Sequence, residues 1–295
     1  MLERLFRKKE LPFADLQVHS YFSDGHVSPE RLLAHADELG LRVIAVTDHD
    51  SLDGTRAALE AASQFEVDVV PALELTTWWD TPQGSGEIDI LGYFVDVDDA
   101  TLKVTTHRAM DDIQDRIAET CRRLSEDGYP TTLDDIRATN PRYPAKAVCI
   151  WTLVEKHELS WATARDLFHE HFNRVRPCAL SISDAIASIR AGGGVAVLAH
   201  PGRIKLFRHR LGQEQLGWLV EAGLQGIEVL YPLHDAADTL AFRTLAQHFG
   251  LVQTGGSDEH AYHGKFSVMG SQPVTEEMVE ALQSAAWPLR ESWSA

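Results

Sequence analysis

Side chains that commonly bind metal ions recur along this sequence, each close to the end of a short apolar segment. The set is His19, Asp24, His49, Glu74, His200, Asp258 and His260. Imidazole and carboxylate groups hold Zn, Mn or Fe in proteins, and one carboxylate can bridge two ions. A single such residue is more often a hydrogen-bonded core or surface group. Seven residues contributed by five segments predict a shared metal site.

Alternating strand and helix patterns would bring these side chains together. The β-rich segments are "DLQVHS" (15–20), "LRVIAVTDH" (41–49), "VDVVPALELTT" (67–77), "EIDILGYFVD" (87–96), "GGVAVLAH" (193–200), "GIEVLYP" (226–232) and "LVQTGGSDEH" (251–260). The first intervening segments begin with capping residues and carry apolar residues at helical spacing. The pattern predicts an α/β fold with a parallel sheet that closes, or nearly closes, into a β/α barrel. In such a barrel the carboxyl ends of the strands share one face, where active sites form.

One long segment interrupts this alternation. From about 100 to 183 the sequence shows only helical stretches, such as "HRAMDDIQDRIAETCRRLSEDG" and "SWATARDLFHEHF". We therefore predict an N-terminal tail (1–13), a barrel domain (14–99 and 184–295) and a helical insertion (100–183) between strands four and five. The insertion is either a lid over the barrel mouth or an elaboration of the outer helices.

Composition limits the class of protein. With 295 residues, 44% hydrophobic and 24% charged, the chain is typical of a globular protein with a sizeable core. It has no apolar run of membrane-spanning length, and its basic N-terminus lacks a signal-peptide core, so we expect a cytoplasmic protein without a membrane partner. Cys121, Cys149 and Cys178 have no metal-type spacing. A net charge of −17 argues against long nucleic acid but permits a small anionic substrate. The sequence does not indicate an oligomeric state.

Residues next to the predicted metal site could bind a substrate. Arg203 follows a Pro-Gly turn directly after His200, where its guanidinium could bind phosphate with two hydrogen bonds, the alternative being a salt bridge at the rim. Trp78 and Trp79 follow Glu74 and could stack on a nucleobase, or they could be a packed aromatic pair. Histidines on helical segments are expected to be structural, namely His35, His107, His157, His169, His171, His209 and His248.

Five motifs, taken together and in order, resemble the polymerase and histidinol phosphatase (PHP) family of metal-dependent phosphoesterases. They are "DLQVHSYFSDG", "TDHDSLDG", "PALELTT", "VLAHPGR" and "GGSDEH". The likeness covers about residues 14–265 and implies a distorted seven-stranded β/α barrel with up to three metal ions. The helical insertion is further similar to that of the bacterial branch that removes phosphate from nucleoside bisphosphates or trims short RNA.

The resemblance also implies which residues hold each ion. The three groups would be His19, Glu74 and Asp258 for one ion, Glu74 and His200 for a second, and Asp24, His49 and His260 for a third. At two family positions that normally carry histidine, this sequence has Gln17 and Asp89. Because both changes replace nitrogen by oxygen, we expect two or three ions of the harder kind, Mn first, with Mg, Zn or Fe as alternatives. Gln17 is either a weak ligand or a hydrogen-bond partner of substrate or water.

The implied reaction is hydrolysis of a phosphate monoester of a small molecule by water that the metal ions activate. A nucleotide is the expected substrate, such as a nucleoside 3',5'-bisphosphate or a short RNA end. Asp24, His49, His260 and Arg203 are the expected catalytic residues, with His260 or solvent protonating the leaving group. The branch carries an Arg and a His on its insertion that contact substrate, and the matching positions here are Lys146 and Val148.

Two other functions are compatible with the same residues. A catalytically impaired homologue could bind a nucleotide as a regulatory protein. An amidohydrolase-type metal enzyme could use the same barrel face, although such enzymes usually have a His-x-His first motif and a carboxylated lysine at a strand end.

Overall fold

The architecture was established from a computed structural model, which describes residues 12–204 and 210–286. Within these ranges the strands are β1 (Ala14–Val18), β2 (Val43–Val46), β3 (Asp68–Thr81), β4 (Gly84–Tyr93), β5 (Val195–Leu198), β6 (Gly226–Leu230) and β7 (Val252–Gly255). The α-helices are α1 (Pro29–Leu39), α2 (Asp53–Ala61), α3 (Ala100–Glu126), α4 (Leu133–Thr139), α5 (Lys146–His157), α6 (Trp161–Phe172), α7 (Ile182–Ala191), α8 (Gln213–Glu221), α9 (Ala236–Phe249) and α10 (Glu276–Ala285). Most of the predicted tail lies outside the described residues.

In the described part of the chain, the seven strands form one sheet in the order of the sequence. The ends of this sheet meet because the Asp258 amide donates to the Gln17 carbonyl (2.9 Å) and the His19 amide to the Glu259 carbonyl (2.8 Å). Inside the barrel, the buried Tyr93 hydroxyl donates to the Leu16 carbonyl at 2.9 Å and links β4 to β1. The predicted α/β barrel is confirmed, and it is nearly closed.

The prediction of a parallel sheet is wrong at one strand. β4 is antiparallel to both β3 and β5, whereas the other neighbouring strands are parallel. β3 and β4 form a long hairpin whose turn is held by Thr81, since its hydroxyl donates to the Gly84 carbonyl at 2.7 Å and accepts from the Gly84 amide at 3.2 Å. The hairpin is possible because an antiparallel pair needs only a short turn.

Local sequence signals set the ends of the helices around the sheet. Helix α1 begins where the Ser28 hydroxyl accepts a hydrogen bond from the Arg31 amide and Pro29 occupies the first helical position. It ends at Gly40, whose φ of 75° is the left-handed conformation that favours glycine. Its Leu32, Leu33 and Ala36 are buried against the barrel. Packing of such helices on the sheet holds the strands in place, and it thereby positions the residues that follow each strand.

Helices α3–α6 follow β4 and carry a hydrophobic cluster of their own. Its large members include Ile117, Ile136, Leu153 and Phe168, all fully buried. Helix α7 returns to pack on β3, β4 and β5 before the chain enters β5. No described helix, including the 27-residue α3, is long and apolar enough to cross a lipid bilayer.

Candidate metal centre

The barrel brings the predicted ligands to one rim. They come from the ends of β1, β2, β5 and β7 and from the middle of the β3–β4 hairpin, and they are His19, Asp24, His49, Glu74, Asp89, His200, Asp258 and His260. Asp89 reaches the cluster from inside β4, because that strand runs against its neighbours. It lies opposite Thr76 in the ladder, two residues beyond Glu74.

Glu74 lies at the centre of this cluster and is fully buried. Its Oε2 is 3.2 Å from His19 Nε2 and 4.0 Å from His49 Nε2, and its Oε1 is 3.0 Å from His200 Nε2. Burial alone would raise the pKa of Glu74, but the surrounding imidazoles hold that pKa well below its usual range. The carboxylate is therefore charged and faces three imidazoles, which is the arrangement needed to bridge two cations.

A second group forms beside His19. Asp258 Oδ1 is 3.1 Å from His19 Nε2, and Asp24 Oδ1 is 3.2 Å from His260 Nε2. The ring of His19 stacks on those of His49 and His260, with centroids 4.8 and 4.4 Å apart. Burial raises the pKa of Asp24, but His260 and His49 more than offset it, so the pKa is lowered and the carboxylate is charged.

The chemistry of these donors fits divalent cations. His19 Nε2 is buried without a hydrogen-bond partner among the described residues, although it lies within 3.2 Å of two carboxylates. A cation shared between such groups would satisfy all of them. Candidate ligand atoms lie within 4.8 Å of one another in three overlapping groups, namely His19–Asp24–His260, His19–His49–Glu74 and Glu74–Asp89–His200.

Gln17 is fully buried within the cluster. Its Nε2 donates to Glu74 Oε2 at 3.1 Å, while its Oε1 has no hydrogen-bond partner in the described ranges. The amide therefore contacts the central carboxylate, and its free oxygen is available to a cation or to water.

Residues without a predicted role form hydrogen bonds within and next to the loop that follows β1. The buried Asp48 accepts hydrogen bonds from the Ser20 and Ser23 hydroxyls, both at 2.6 Å, and from the Ser20 amide at 2.8 Å. Gly54 is required beside it, because a Cβ at that position would lie 1.6 Å from Asp48 Oδ2. These contacts fix the turn that carries His19 and Asp24.

A buried glutamate accepts a hydrogen bond from the backbone of His200. Glu228 is fully buried and accepts the His200 amide at 2.8 Å. The backbone of His200 has a φ of 26°, which is rare for a residue with a side chain. The hydrogen bond helps to hold this conformation and so aims the imidazole at Glu74.

Arg203 lies at the edge of the cluster. Its Nη1 donates to the Tyr231 hydroxyl at 3.2 Å and to Asp258 Oδ2 at 3.3 Å. About half of its side chain remains exposed, since the relative accessibility is 53%. The guanidinium is thus oriented over the candidate ligands with donors free to meet an anion.

A cavity of about 430 Å³ opens above the cluster. The barrel side contributes the candidate ligands and Arg203, and the helical segment contributes Ile113, Tyr143, Lys146, Ile150 and His169. Lys146, at the start of α5, forms an ion pair with Glu87 of β4, which also pairs with Arg116 at 2.5 Å. The helices between β4 and β5 therefore form one wall of the cavity.

The structure places some predicted residues elsewhere. Trp78 donates its indole N–H to Asp80 at 2.9 Å and is not among the described residues that line the cavity. Val148 does not line this cavity but a smaller pocket that shares Asp24 with it. Conversely His169, expected to be structural, faces the cavity. Asp48, Glu228 and Tyr231 were not predicted, because their role depends on contacts between distant segments and not on a local motif.

Comparison with known proteins gives relatives that span nearly the whole chain. The PHP domain matches residues 15–110. A phosphoribosyl 1,2-cyclic phosphate 1,2-diphosphodiesterase from Eggerthella lenta is 32% identical over 261 residues, which are 85% of this chain and 94% of the relative. A 3',5'-nucleoside bisphosphate phosphatase from Chromobacterium violaceum is 27% identical, over 84% of this chain and 87% of the relative. A 5'-3' exoribonuclease Rnm from Salmonella typhimurium is 29% identical, over 83% and 84% respectively.

A solved structure has the same fold. It is a proposed metal-dependent phosphoesterase from Bifidobacterium adolescentis, with a TM-score of 0.82 and 26% sequence identity. The match covers 96% of this chain and 100% of the other.

Proposed function

This chain belongs to the PHP family of metal-dependent phosphoesterases, and from that premise we propose that it hydrolyses a phosphate monoester of a small ribose-containing molecule, in the first place a nucleotide. The observation that carries the proposal is the cluster around Glu74, which opens into a cavity walled by Arg203 and Lys146. Anionic ligands would be attracted there only when cations offset the buried carboxylates.

We propose that two or three divalent ions occupy this cluster, with manganese preferred over magnesium, zinc or iron. Glu74 would bridge an ion held by His19 and Asp258 to an ion held by His200 and Asp89, and a further ion would lie between Asp24, His49 and His260. This assignment follows the family resemblance, and the short distances from His19 to Asp258, from His200 to Glu74 and from His260 to Asp24 support it, whereas His49 lies closer to the group formed by His19 and Glu74. The oxygen donors of Gln17 and Asp89 favour the harder ions.

The protein's own groups would bind and orient the phosphate. When bound, divalent ions would neutralise the charge on the phosphate oxygens and lower the pKa of water, so that water can lose a proton and attack phosphorus at neutral pH. Arg203, held by Tyr231 and Asp258, would donate to the phosphate from the barrel side. Lys146, on the helical side of the cavity, would contribute a point charge to the rest of the nucleotide, such as the second phosphate of a bisphosphate. The helical wall would also exclude water from the reacting groups.

The substrate class is inferred from the relatives and from the size of the cavity. The names of the three relatives share a phosphorylated ribose, as a cyclic phosphate, a bisphosphate or RNA. A volume of about 430 Å³ lies within the range of roughly 300–1,000 Å³ typical of small-molecule sites. A nucleotide or a short RNA end fits such a site, whereas a long duplex does not.

A panel of substrates tests the proposal. The purified protein, supplied with Mn²⁺, would be assayed with a nucleoside 3',5'-bisphosphate, a 5'-phosphorylated short RNA, a ribose cyclic phosphate, an aryl amide and a lactone. We expect turnover of at least one ribose phosphate and none of the amide or lactone. Turnover of the amide or lactone alone would replace this proposal with an amidohydrolase activity.

Changing Gln17 to histidine is expected to raise metal occupancy. An imidazole in place of the amide would add a nitrogen ligand beside Glu74, so affinity should increase roughly tenfold. Elemental analysis after dialysis against limiting Mn²⁺ or Zn²⁺ measures this, with Gln17→Ala as the variant that provides no donor. Equal metal content in the wild type and the histidine variant would show that position 17 does not contact an ion.

Changing Lys146 to alanine is expected to raise the KM for a nucleotide about five- to tenfold with little loss of stability. Stability should persist because Arg116 still pairs with Glu87 when the lysine is removed. Steady-state kinetics with the nucleotide and with an aryl phosphate measure the effect, which should be smaller for the aryl phosphate. Lys156→Ala, on the same helix but paired with Asp135, is the matched control. Equal effects on both substrates would show that the helices between β4 and β5 do not make contacts specific to the nucleotide.

A further inference from the structure

A second pocket adjoins the cavity of about 430 Å³ above the candidate metal ligands, which is called the metal cavity below. It has a volume of about 190 Å³ and lies between the loop after β1 and the segment that joins α4 to α5. Its lining includes Tyr21, His26, Arg142 and Trp151, and Asp24 lines both this pocket and the metal cavity. One molecule could therefore extend from the candidate metal ligands into the second pocket.

Aromatic rings connect the two pockets. Trp151 contacts His263, with ring centroids 4.9 Å apart, and His263 lies 5.8 Å from His26. His26 in turn meets Tyr262 at 5.3 Å, and Tyr262 stacks on His260 at 5.4 Å with planes only 5° apart. Tyr262 is 42% exposed, which is unusual for a large aromatic side chain in the described structure. Only the Tyr262–His260 pair is stacked, whereas the other three contacts are tilted or edge-on. Accessible aromatic rings beside a phosphate site are a feature by which proteins bind bases.

Arg142 completes this surface. Its guanidinium carbon lies 4.2 Å from the centroid of the Tyr21 ring and 5.2 Å from that of Phe22. In the described ranges its side chain is exposed and makes neither a hydrogen bond nor an ion pair. An arginine that stacks on tyrosine while its N–H groups remain free has donors for a ligand.

Two further details indicate what the pocket binds. The indole Nε1 of Trp151 is buried and has no acceptor among the described residues. The Asn140 amide is already used, because its Nδ2 donates to the Ser23 carbonyl and its Oδ1 accepts the Arg142 amide. The lining thus offers ring faces and the free N–H groups of Arg142, while the Asn140 amide, which could otherwise pair with a base edge, is engaged by the backbone.

We propose that this second pocket binds the nucleobase of the substrate whose phosphate lies in the metal cavity. The inference rests on the proposed function and narrows it, since the enzyme would select base-containing substrates over base-free ribose phosphates. The volume is below the roughly 300 Å³ of a complete small-molecule site, which suits one ring system. Binding by stacking tolerates different bases, so purine and pyrimidine substrates should both be accepted.

Two substrates, three variants of the pocket and one control variant test the subsite. The substrates are adenosine 3',5'-bisphosphate and its abasic counterpart, 1-deoxyribose 3,5-bisphosphate. For Arg142→Ala and Trp151→Ala we expect the KM of the nucleotide to rise about tenfold, the usual cost of losing a stacking partner, while the kinetics of the abasic substrate stay nearly constant. Trp151→Phe, which keeps a ring, should recover most of the loss. Arg137→Ala, on α4 and directed to Gln114 and Asp134, is the matched arginine control.

The contrary outcomes are distinct. An equal rise in KM for both substrates, or no rise for the nucleotide, would overturn the subsite. If the wild type hydrolyses neither substrate, the substrate panel above decides the proposed function, and calorimetric titration with adenosine 5'-monophosphate and ribose 5-phosphate tests the pocket alone. Tighter binding of the nucleotide that is lost in Arg142→Ala supports the subsite, and equal affinities refute it.

Discussion

Replacing Glu74 with glutamine is expected to lower kcat/KM for a nucleotide phosphate by at least about a thousandfold, because several kcal/mol of charge stabilisation depend on the ions that this carboxylate would hold. Glu74 is the group that approaches His19 and His200 together, and it is fully buried. Glutamine has nearly the same shape, so the barrel should still fold. Metal content should fall in parallel with activity.

Kinetics, elemental analysis and thermal melting of the same preparations would check this result. Asp68→Asn is the matched control, since Asp68 lies on the same strand but is exposed. It should leave activity and metal content unchanged. A glutamine variant that keeps its ions and its activity would remove Glu74 from the mechanism.

The electrostatics of the site explain why the effect should be large. Burial raises the pKa of Asp89, and the neighbouring Glu74 raises it further. Burial lowers the pKa of His200, but its hydrogen bond with Glu74 and the nearby carboxylates raise it to about 9. The carboxylates are thus stabilised by nearby positive charge, which His200 supplies when it is protonated. Divalent ions would take over that role and free the imidazoles to act as ligands.

Much of the rim could be predicted from the sequence, because strand ends in a barrel converge whatever the details of packing. His19, His49, His200 and Asp258 follow apolar strand segments and do come together. The PHP resemblance and the seven-stranded barrel are confirmed. The assignment of individual ions to residues remains a prediction.

The hairpin of β3 and β4 was missed although the sequence contains a signal for it. The two predicted strands are separated by only nine residues (78–86), too few for the helical crossover that parallel neighbours need. Pro82 and Gly84 in that interval are typical turn residues. The regular alternation of strands and helices elsewhere led to the parallel assignment.

Supporting residues could not be predicted, because their roles depend on contacts between distant segments. Asp48 reads as part of a ligand motif, yet its carboxylate is used by two serines of the first loop. Glu228 lies in an apolar strand and gives no sign that it holds the His200 amide. The pocket around Arg142 likewise forms only when the helical segment meets the loop after β1.

Removing the divalent ions is expected to abolish activity and lower thermal stability. An ion at 100 times its dissociation constant stabilises the folded state by about 2.7 kcal/mol. For a chain of this size that corresponds to a melting temperature roughly 5 °C higher with metal than without it. Treatment with a chelator followed by gel filtration, and then addition of Mn²⁺, Mg²⁺ or Zn²⁺, separates the two states. Differential scanning fluorimetry and turnover should recover together, with Mn²⁺ the most effective.

The Glu74→Gln variant distinguishes stabilisation by ions bound at the rim from a general effect of salt on the protein surface. If ions act at the rim, their stabilisation of this variant should be much smaller than that of the wild type, because a bridging carboxylate is missing from the two groups that share it. A surface effect of salt would stabilise both proteins equally. Full activity after chelation, or equal shifts in melting temperature for the two proteins, would show that the carboxylates and imidazoles at this rim do not hold the catalytic ions.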